Sequence, residues 1–384
     1  MGVSGWGVSK MGPLLGLKII EMVGLGPCPL AGQLLADLGA EVTVIDRASG
    51  LDQSGEINRR GKRSIAINLK NPSGVSTLLK LIENADVLME GFRPGVMEKL
   101  GLGPDICLEH NPKLIYGRMT GWGQEGPSAK TAGHDINYLG ITGALNAMGE
   151  VGEPPRPPLN LVADYGGGSM FLIMGILSAL YERNTSGKGQ VIDAAMIDGV
   201  PAMMGMIQSM LEQGTWTNNR QNNFLDGAAP YYRCYRTKDF KFMSVGAIEP
   251  QFYAELLGKL GLPAELGETQ NDKNTWATLS ASFAKIFAAK TRDEWTAVFK
   301  GSDACVAPVL DFDEAPKHPQ NAARDTFFKH NHLVQTSPAP RFSRTIPEPP
   351  VPAKTTGSDN IEILRNNGFS EEEITALETD GVLL

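Results

Sequence analysis

Leu17-Lys18-Ile19-Ile20-Glu21-Met22-Val23, then Gly24-Leu25-Gly26-Pro27, then Leu30 to Leu38 closed by Gly39, then Glu41-Val42-Thr43-Val44-Ile45-Asp46: this stretch decides the fold. Two short apolar runs flank a helix-length segment, which reads as a βαβ unit whose strands are buried on both faces. The alternation continues with a strand at Ser64 to Leu69, a helix at Ser76 to Glu83, and strands at Ala85 to Glu90 and Leu114 to Met119. It predicts an α/β protein with a Rossmann-like, largely parallel sheet and ligands at the carboxyl ends of the strands. Asp46, at the end of the second strand, invites a dinucleotide reading. The G-x-G-x-x-G fingerprint fails, because Pro29 stands at its third glycine, and Pro27 and Pro29 remove amides that a pyrophosphate would use.

Further along, Gly187-Lys188-Gly189-Gln190 lacks the upstream glycine and following Ser/Thr of a P-loop. Val191 to Gln213 reads as a helix kinked or restarted at Pro201, carrying Met196, Met203, Met204, Met206 and Met210. From Tyr231 the pattern changes to a hairpin (Tyr231 to Arg236, Phe240 to Val245), a helix opened by Glu249-Pro250, and helices at Trp276 to Ala289 and Arg292 to Phe299. Thr336 to Thr356 is a proline-rich strap, and Ser370-Glu371-Glu372-Glu373 starts a last helix with a capping box. The expected division is a large α/β domain over 1–197 (1–10 a Gly/Ser-rich extension before Met11), a linker helix over 198–229, a small α+β domain over 230–328, and a strap plus C-terminal part of the large domain over 329–384.

The 384 residues are 42% hydrophobic and 20% charged, and the net charge is −8, which argues against nucleic acid as a partner. No stretch reads as a membrane span and no cleavable signal is evident, which predicts a cytoplasmic or organellar-matrix protein. Cys28, Cys107, Cys234 and Cys305 are far apart and read as buried thiols; His330 and His332 have no partner cluster, so no metal is expected.

Two segments carry the chemistry, Ala132-Gly133-His134-Asp135-Ile136-Asn137-Tyr138 and Asn160-Leu161-Val162-Ala163-Asp164-Tyr165-Gly166-Gly167-Gly168. His134 and Asp164 each stand at a loop-to-helix boundary, where unpaired amides and a positive dipole end gather. One imidazole and one carboxylate beside such amides make an acid–base site with oxyanion donors. A plain N-cap aspartate and a satisfied loop histidine are the alternative reading of the same spacing. Arg59-Arg60-Gly61-Lys62-Arg63 and Arg93 interrupt an acidic chain at strand termini, and predict an anion site.

With Pro158 to Asp164, Gly187 to Asp193 and Val245 to Tyr253, these segments resemble the family III CoA-transferase superfamily over about Met11 to Arg344, and within it the branch that epimerises 2-methylacyl-CoA thioesters. The resemblance implies an interlocked homodimer with an acyl-CoA substrate, no separate cofactor and no membrane partner. It assigns His134 and Asp164 as the catalytic pair, with Glu249 and Asn160 in support. It places CoA against Arg47, Arg60, Ile67, Asn68, Leu69, Lys70, Gly91, Phe92, Arg93, Lys99, Gly133, Ile136, Asn137 and Tyr138. Such an enzyme needs a neutral base on one face of the α-carbon and a protonated acid on the other. A helix start lowers a carboxylate pKa, so burial or a second carboxylate must raise that of Asp164. The backbone N–H of Asp135 is the expected oxyanion donor, and some of the five methionines are expected along the acyl path. The rivals are a CoA-transferase with Asp164 as nucleophile forming a mixed anhydride, and a non-catalytic acyl-CoA binder.

Overall fold

The computed structural model describes residues 12–47, 56–330 and 333–383. In chain order they form β1 (Lys18–Met22), α1 (Pro27–Asp37), β2 (Glu41–Asp46), β3 (Arg63–Ala66), α2 (Pro72–Ile82), β4 (Val87–Glu90), α3 (Val96–Lys99), α4 (Pro104–His110), β5 (Ile115–Thr120) and α5 (Asp135–Thr142). A π-helical stretch (Leu161–Ser169) runs into α6 (Met170–Ser186), followed by β6 (Gln190–Ala195), α7 (Met196–Met203), α8 (Gly205–Glu212), β7 (Tyr232–Arg236), β8 (Phe242–Gly246) and α9 (Pro250–Leu260). The rest are α10 (Lys273–Phe287), α11 (Arg292–Phe299), β9 (Val306–Val309), α12 (Pro319–Ala323), β10 (Phe327–His330), β11 (Leu333–Thr336), α13 (Asn360–Asn366) and α14 (Glu371–Thr379).

The chain divides into one unit of Met1–Thr142, Leu159–Met203 and Phe327–Leu384, and a second of Gly143–Pro158 and Met204–Thr326. The first unit holds a six-stranded sheet in the order β3-β2-β1-β4-β5-β6, every pairing parallel. The order reverses between β1 and β4, which opens a crevice outside their carboxyl ends. The loops leaving there are Gly24 to Gly26 and Gly91 to Pro94. Helix α1 starts three residues before the apolar periodicity predicts, since prolines are tolerated in a first turn whose amides have no intrahelical partner. Asn71 caps α2, its Oδ1 accepting from the Ser73 N–H at 3.0 Å.

The expected helix from Val191 is a correction. Residues 190–195 are β6, paired parallel to β5, and the helix that follows breaks at Met204, not at Pro201. A short apolar run beside glycine suits strand and helix alike, and here pairing to β5 decides. A second correction concerns membranes. Leu161–Ser186 is, by length and composition, a helix able to cross one, with mean hydropathy 1.4. In this chain α6 packs on β5 and β6, and leaves Met170, Met174, Leu177 and Tyr181 exposed along one stripe. A third is that Cys234 and Cys305 are exposed, whereas Cys28 and Cys107 are buried.

The tail completes the first unit. Ile363, Leu364, Phe369, Ile374, Leu377, Val382 and Leu383 join a core with Ile20, Ile45, Ile65 and Leu88. It also covers β3, the edge strand. Asp359 Oδ2 accepts from the Ser64 N–H at 3.0 Å, Asn360 Oδ1 from Ala66 at 2.9 Å, and the Val382 carbonyl from Asn68 at 2.9 Å. An edge whose amides are capped in this way cannot recruit a stray strand.

The second unit pairs β7, β8 and β9 as an antiparallel sheet. Tyr231, Tyr235, Phe283, Phe287 and Trp295 fill its core. The third strand, β9, was not among the elements read from the sequence pattern; Pro308 within it sits on an edge, where a missing amide is tolerated.

Candidate active site

A cavity of ≈ 270 Å³ opens at the carboxyl ends of β4 and β5, next to the reversal, lined by Gly91 to Pro94 after β4, by Trp122 after β5, and by Ala132, Gly133, His134 and Tyr138. The Tyr138 ring stands edge-on to Trp122, centroids 4.8 Å apart. A Cβ at Gly121 would come within 2.0 Å of that ring, so glycine is required there. The Gly91–Pro94 loop is held from beneath. Buried Glu90 accepts the Phe92 N–H at 2.6 Å and the Arg118 Nε–H at 3.0 Å, and burial pushes its carboxyl up to about 7. Arg93 is exposed and makes no ion pair among the described residues. Glu90 and Trp122 escaped the sequence reading; the only signal was an acidic residue directly before Gly91 at a strand end.

His134 is exposed and immediately precedes α5. Its own N–H donates to Asn137 Oδ1 at 3.0 Å, and the first helical amide, that of Asp135, has no intrahelical acceptor because of its place in the helix. The Asp135 side chain turns inward. Its Oδ2 accepts from the backbone N–H groups of Ala163 and Asp164 at 2.8 and 2.9 Å. Asp164 is therefore not an N-cap. It lies within the π-helical stretch, and the residue capping that turn is Asp135, from another element. π-Helical turns gather at functional sites because they re-aim side chains.

The Asp164 carboxyl is half-buried beside the loop after β1: its Oδ2 lies 3.6 Å from where a Cβ on Gly26 would stand. Its pKa is raised, first by burial and then by the charge of Asp135, against a hydrogen bond from Asn160 and the attraction of His134. Both effects asked of the sequence therefore act. The glycine triplet serves packing more than ligand approach. A Cβ on Gly199 would stand 2.0 Å from the Gly167 carbonyl oxygen, so the turn and α7 touch backbone to backbone.

The cationic run is corrected. Arg60 is buried and pairs with Asp37 at 2.6 Å, and its Nη1 donates to Gln335 at 3.1 Å. Lys62 Nζ lies 2.6 Å from Glu21 and 2.8 Å from the Pro29 carbonyl oxygen, Arg59 holds Asp46, and Arg63 meets Glu41 and Glu362 at 3.0 Å. These charges neutralise carboxylates inside the sheet and its rim, so Arg60 is not placed to take a phosphate. Arg47, Lys70 and Lys99 are exposed. Ile67 and Asn68 are covered by the tail through Leu383 and Val382, and Leu69 packs on the core. Ile136 is exposed, as is Asn137. Glu249 belongs to the second unit, at the N-cap of α9, so its link to His134 rests on resemblance alone. The methionines do not form one stripe. Met196 is buried, Met203 is exposed with Sδ 3.6 Å from a Cβ position on Gly166, and Met204, Met206 and Met210 belong to the second unit.

A contrast of two arginines follows. Arg93→Ala is expected to raise KM for an acyl-CoA about tenfold with a smaller change in kcat, because a phosphate contact is equal in ground and transition states. Arg60→Ala is expected to lower unfolding free energy by about 3–5 kcal/mol, because it strands buried Asp37. Steady-state kinetics with denaturant melts separates them; an unchanged KM and salt dependence in the Arg93 variant would remove it from the binding surface.

A sequence model of CoA-transferase family III matches residues 14–360. The chain is 47% identical to a mouse (Mus musculus) alpha-methylacyl-CoA racemase over 376 residues, 96% of this chain and 97% of that one. It is 43% identical to a human (Homo sapiens) alpha-methylacyl-CoA racemase over 375 residues, with the same shares covered. Its fold is similar to the crystal structure of a CAIB/BAIF family protein from Brucella suis, with TM-score 0.80 and 25% identity over 93% of this chain and 100% of that one.

Proposed function

The chain belongs to CoA-transferase family III, and from that premise we propose that it interconverts the R and S epimers of 2-methylacyl-CoA thioesters. Relatives at 47% and 43% identity over nearly all of both chains bear the name of that activity. The observation that carries the mechanism is an exposed imidazole acting on a half-buried carboxyl whose pKa is raised by burial and by Asp135, the direction that an acid opposite a base requires.

His134 takes the α-proton of one epimer, and the electron pair of the broken C–H bond moves into the thioester to give an enolate. The Asp135 N–H stabilises the enolate oxygen. Asp164 gives its proton to the opposite face, leaving imidazolium and carboxylate, which serve the reverse direction or exchange with water. Asn160 donates to Asp164, and Glu249 keeps the supporting role that resemblance assigns it. CoA is part of the substrate, and Arg93, with the Gly91–Phe92 backbone, receives it at the cavity mouth.

A family III transferase would use Asp164 as a nucleophile, which requires it ionised. A desolvated carboxyl beside Asp135 disfavours that form, and a transferase has no use for His134. Incubating one epimer of a 2-methylacyl-CoA in deuterated water is expected to yield the other epimer carrying α-deuterium. Turnover only with an added acid acceptor would identify a transferase and sink this reading.

A further inference from the structure

We propose that the Asp135 carboxylate is a positioning residue for epimerisation: it ties the start of α5, which carries His134, to the turn that carries Asp164, and keeps a negative charge beside both. The proposal rests on the reading of His134 and Asp164 as the acid–base pair.

The tie is direct. Two amides 28 and 29 positions along the chain are bound by one oxygen of the residue that follows His134. These segments pack on each other and on α7, and with no backbone ladder between them the side chain is their hydrogen-bonded tie. A shift of even ~1 Å between reacting groups is costly to catalysis.

The charge is a separate matter. The second oxygen, Oδ1, is buried and has no hydrogen-bond partner among the described residues. An unpaired buried oxygen is expensive, about 1–3 kcal/mol. A linker alone would be served by asparagine, whose single carbonyl can accept both amides. A carboxylate with an unused oxygen points to its field. A fixed anion there opposes a second negative charge on Asp164, and so opposes loss of the proton that the acid–base pair needs. The raised pKa of Asp164 agrees in direction, burial being the larger cause and Asp135 the next.

Other polar groups stand on the elements packed around this turn, and of them His134 and Asn160 act on Asp164 against the shift. From α5 come His134 and Tyr138, and from its own turn Asn160 and Tyr165. From α1 comes Cys28, a buried thiol pushed well above its usual range. The packed strands bring Arg118, engaged with Glu90 and Glu98, and Asp193, which accepts from the Gln124 N–H, while α7 brings exposed Asp198.

The test is the pH profile of kcat/KM for both epimers in full-length Asp135→Asn and Asp135→Glu, beside Asp164→Ala. Asp135→Asn keeps the amide bonds and removes the charge. Its bell-shaped profile is expected to move to lower pH by about one unit, with kcat/KM at neutral pH down about tenfold. Both epimers must lose the same factor, because a catalyst cannot change their equilibrium ratio. Asp135→Glu keeps the charge on a longer arm, so its profile is expected to lose height and stay in place; it carries the test should the asparagine variant not fold. A lower bell without displacement in Asp135→Asn would reduce Asp135 to a mechanical tie and overturn the proposal. So would a displaced bell in Asp135→Glu, or an unchanged profile in both. Full epimerisation by Asp164→Ala would instead mean that the acid–base reading beneath it fails.

Discussion

Replacing His134 or Asp164 by alanine is expected to reduce epimerisation at least about 10²-fold, the usual loss when an acid–base group is removed. The two losses should not look alike. With His134 gone, Asp164 can still take a proton from the epimer that presents it, and with Asp164 gone His134 can do so for the other. Each variant should therefore wash deuterium into one epimer, with retention, and neither should invert. Loss of one group leaves the other without a partner of opposite protonation on the far face, and the enolate then returns by the way it came. The proposed oxyanion donor is a backbone amide and survives both substitutions, as does the proposed contact of Arg93, so CoA affinity should hold. Measuring epimerisation and α-deuterium incorporation separately, for each epimer, checks this. Full racemisation by either variant would refute the two-group scheme.

The second large effect concerns the tail. Deletion of residues 359–384 is expected to abolish cooperative unfolding of the first unit. Ile363, Leu364, Phe369, Ile374, Leu377, Val382 and Leu383 are all buried against its core. Each such side chain contributes about 1.5–3 kcal/mol by leaving water, so together they are as large as the whole net stability of an ordinary domain, roughly 5–15 kcal/mol. The deletion would also strip the acceptors from the amides of Ser64, Ala66 and Asn68, leaving the edge strand open to association. Thermal melts with size-exclusion chromatography are the measurement. A truncated chain that melts cooperatively within a few degrees of the full one would show the tail to be an ornament.

The capping box at Ser370 was legible, and so was the helix opened by Glu249-Pro250, because caps and prolines act within one turn. What the tail packs against was not legible, since Leu383 meets Ile67 more than three hundred positions away. The cations at 59–63 were misread for the same reason. A run of charge looks like a ligand surface until its carboxylates are known, and Asp37, Asp46 and Glu21 lie on other elements.

By itself, the sequence determined the α/β class and the parallel sheet, and it put forward His134 and Asp164 as candidates. Strand runs and helical periods are set by neighbours along the chain, and the motif residues are a matter of spelling. Tertiary structure alone decided that 190–195 is a strand, that Arg60 belongs to the core, and that Asp164 is capped by Asp135 and has its pKa raised. Each of these depends on free energies of burial and charge that arise only when distant segments meet. The same carboxyl at a solvated helix start would titrate the other way.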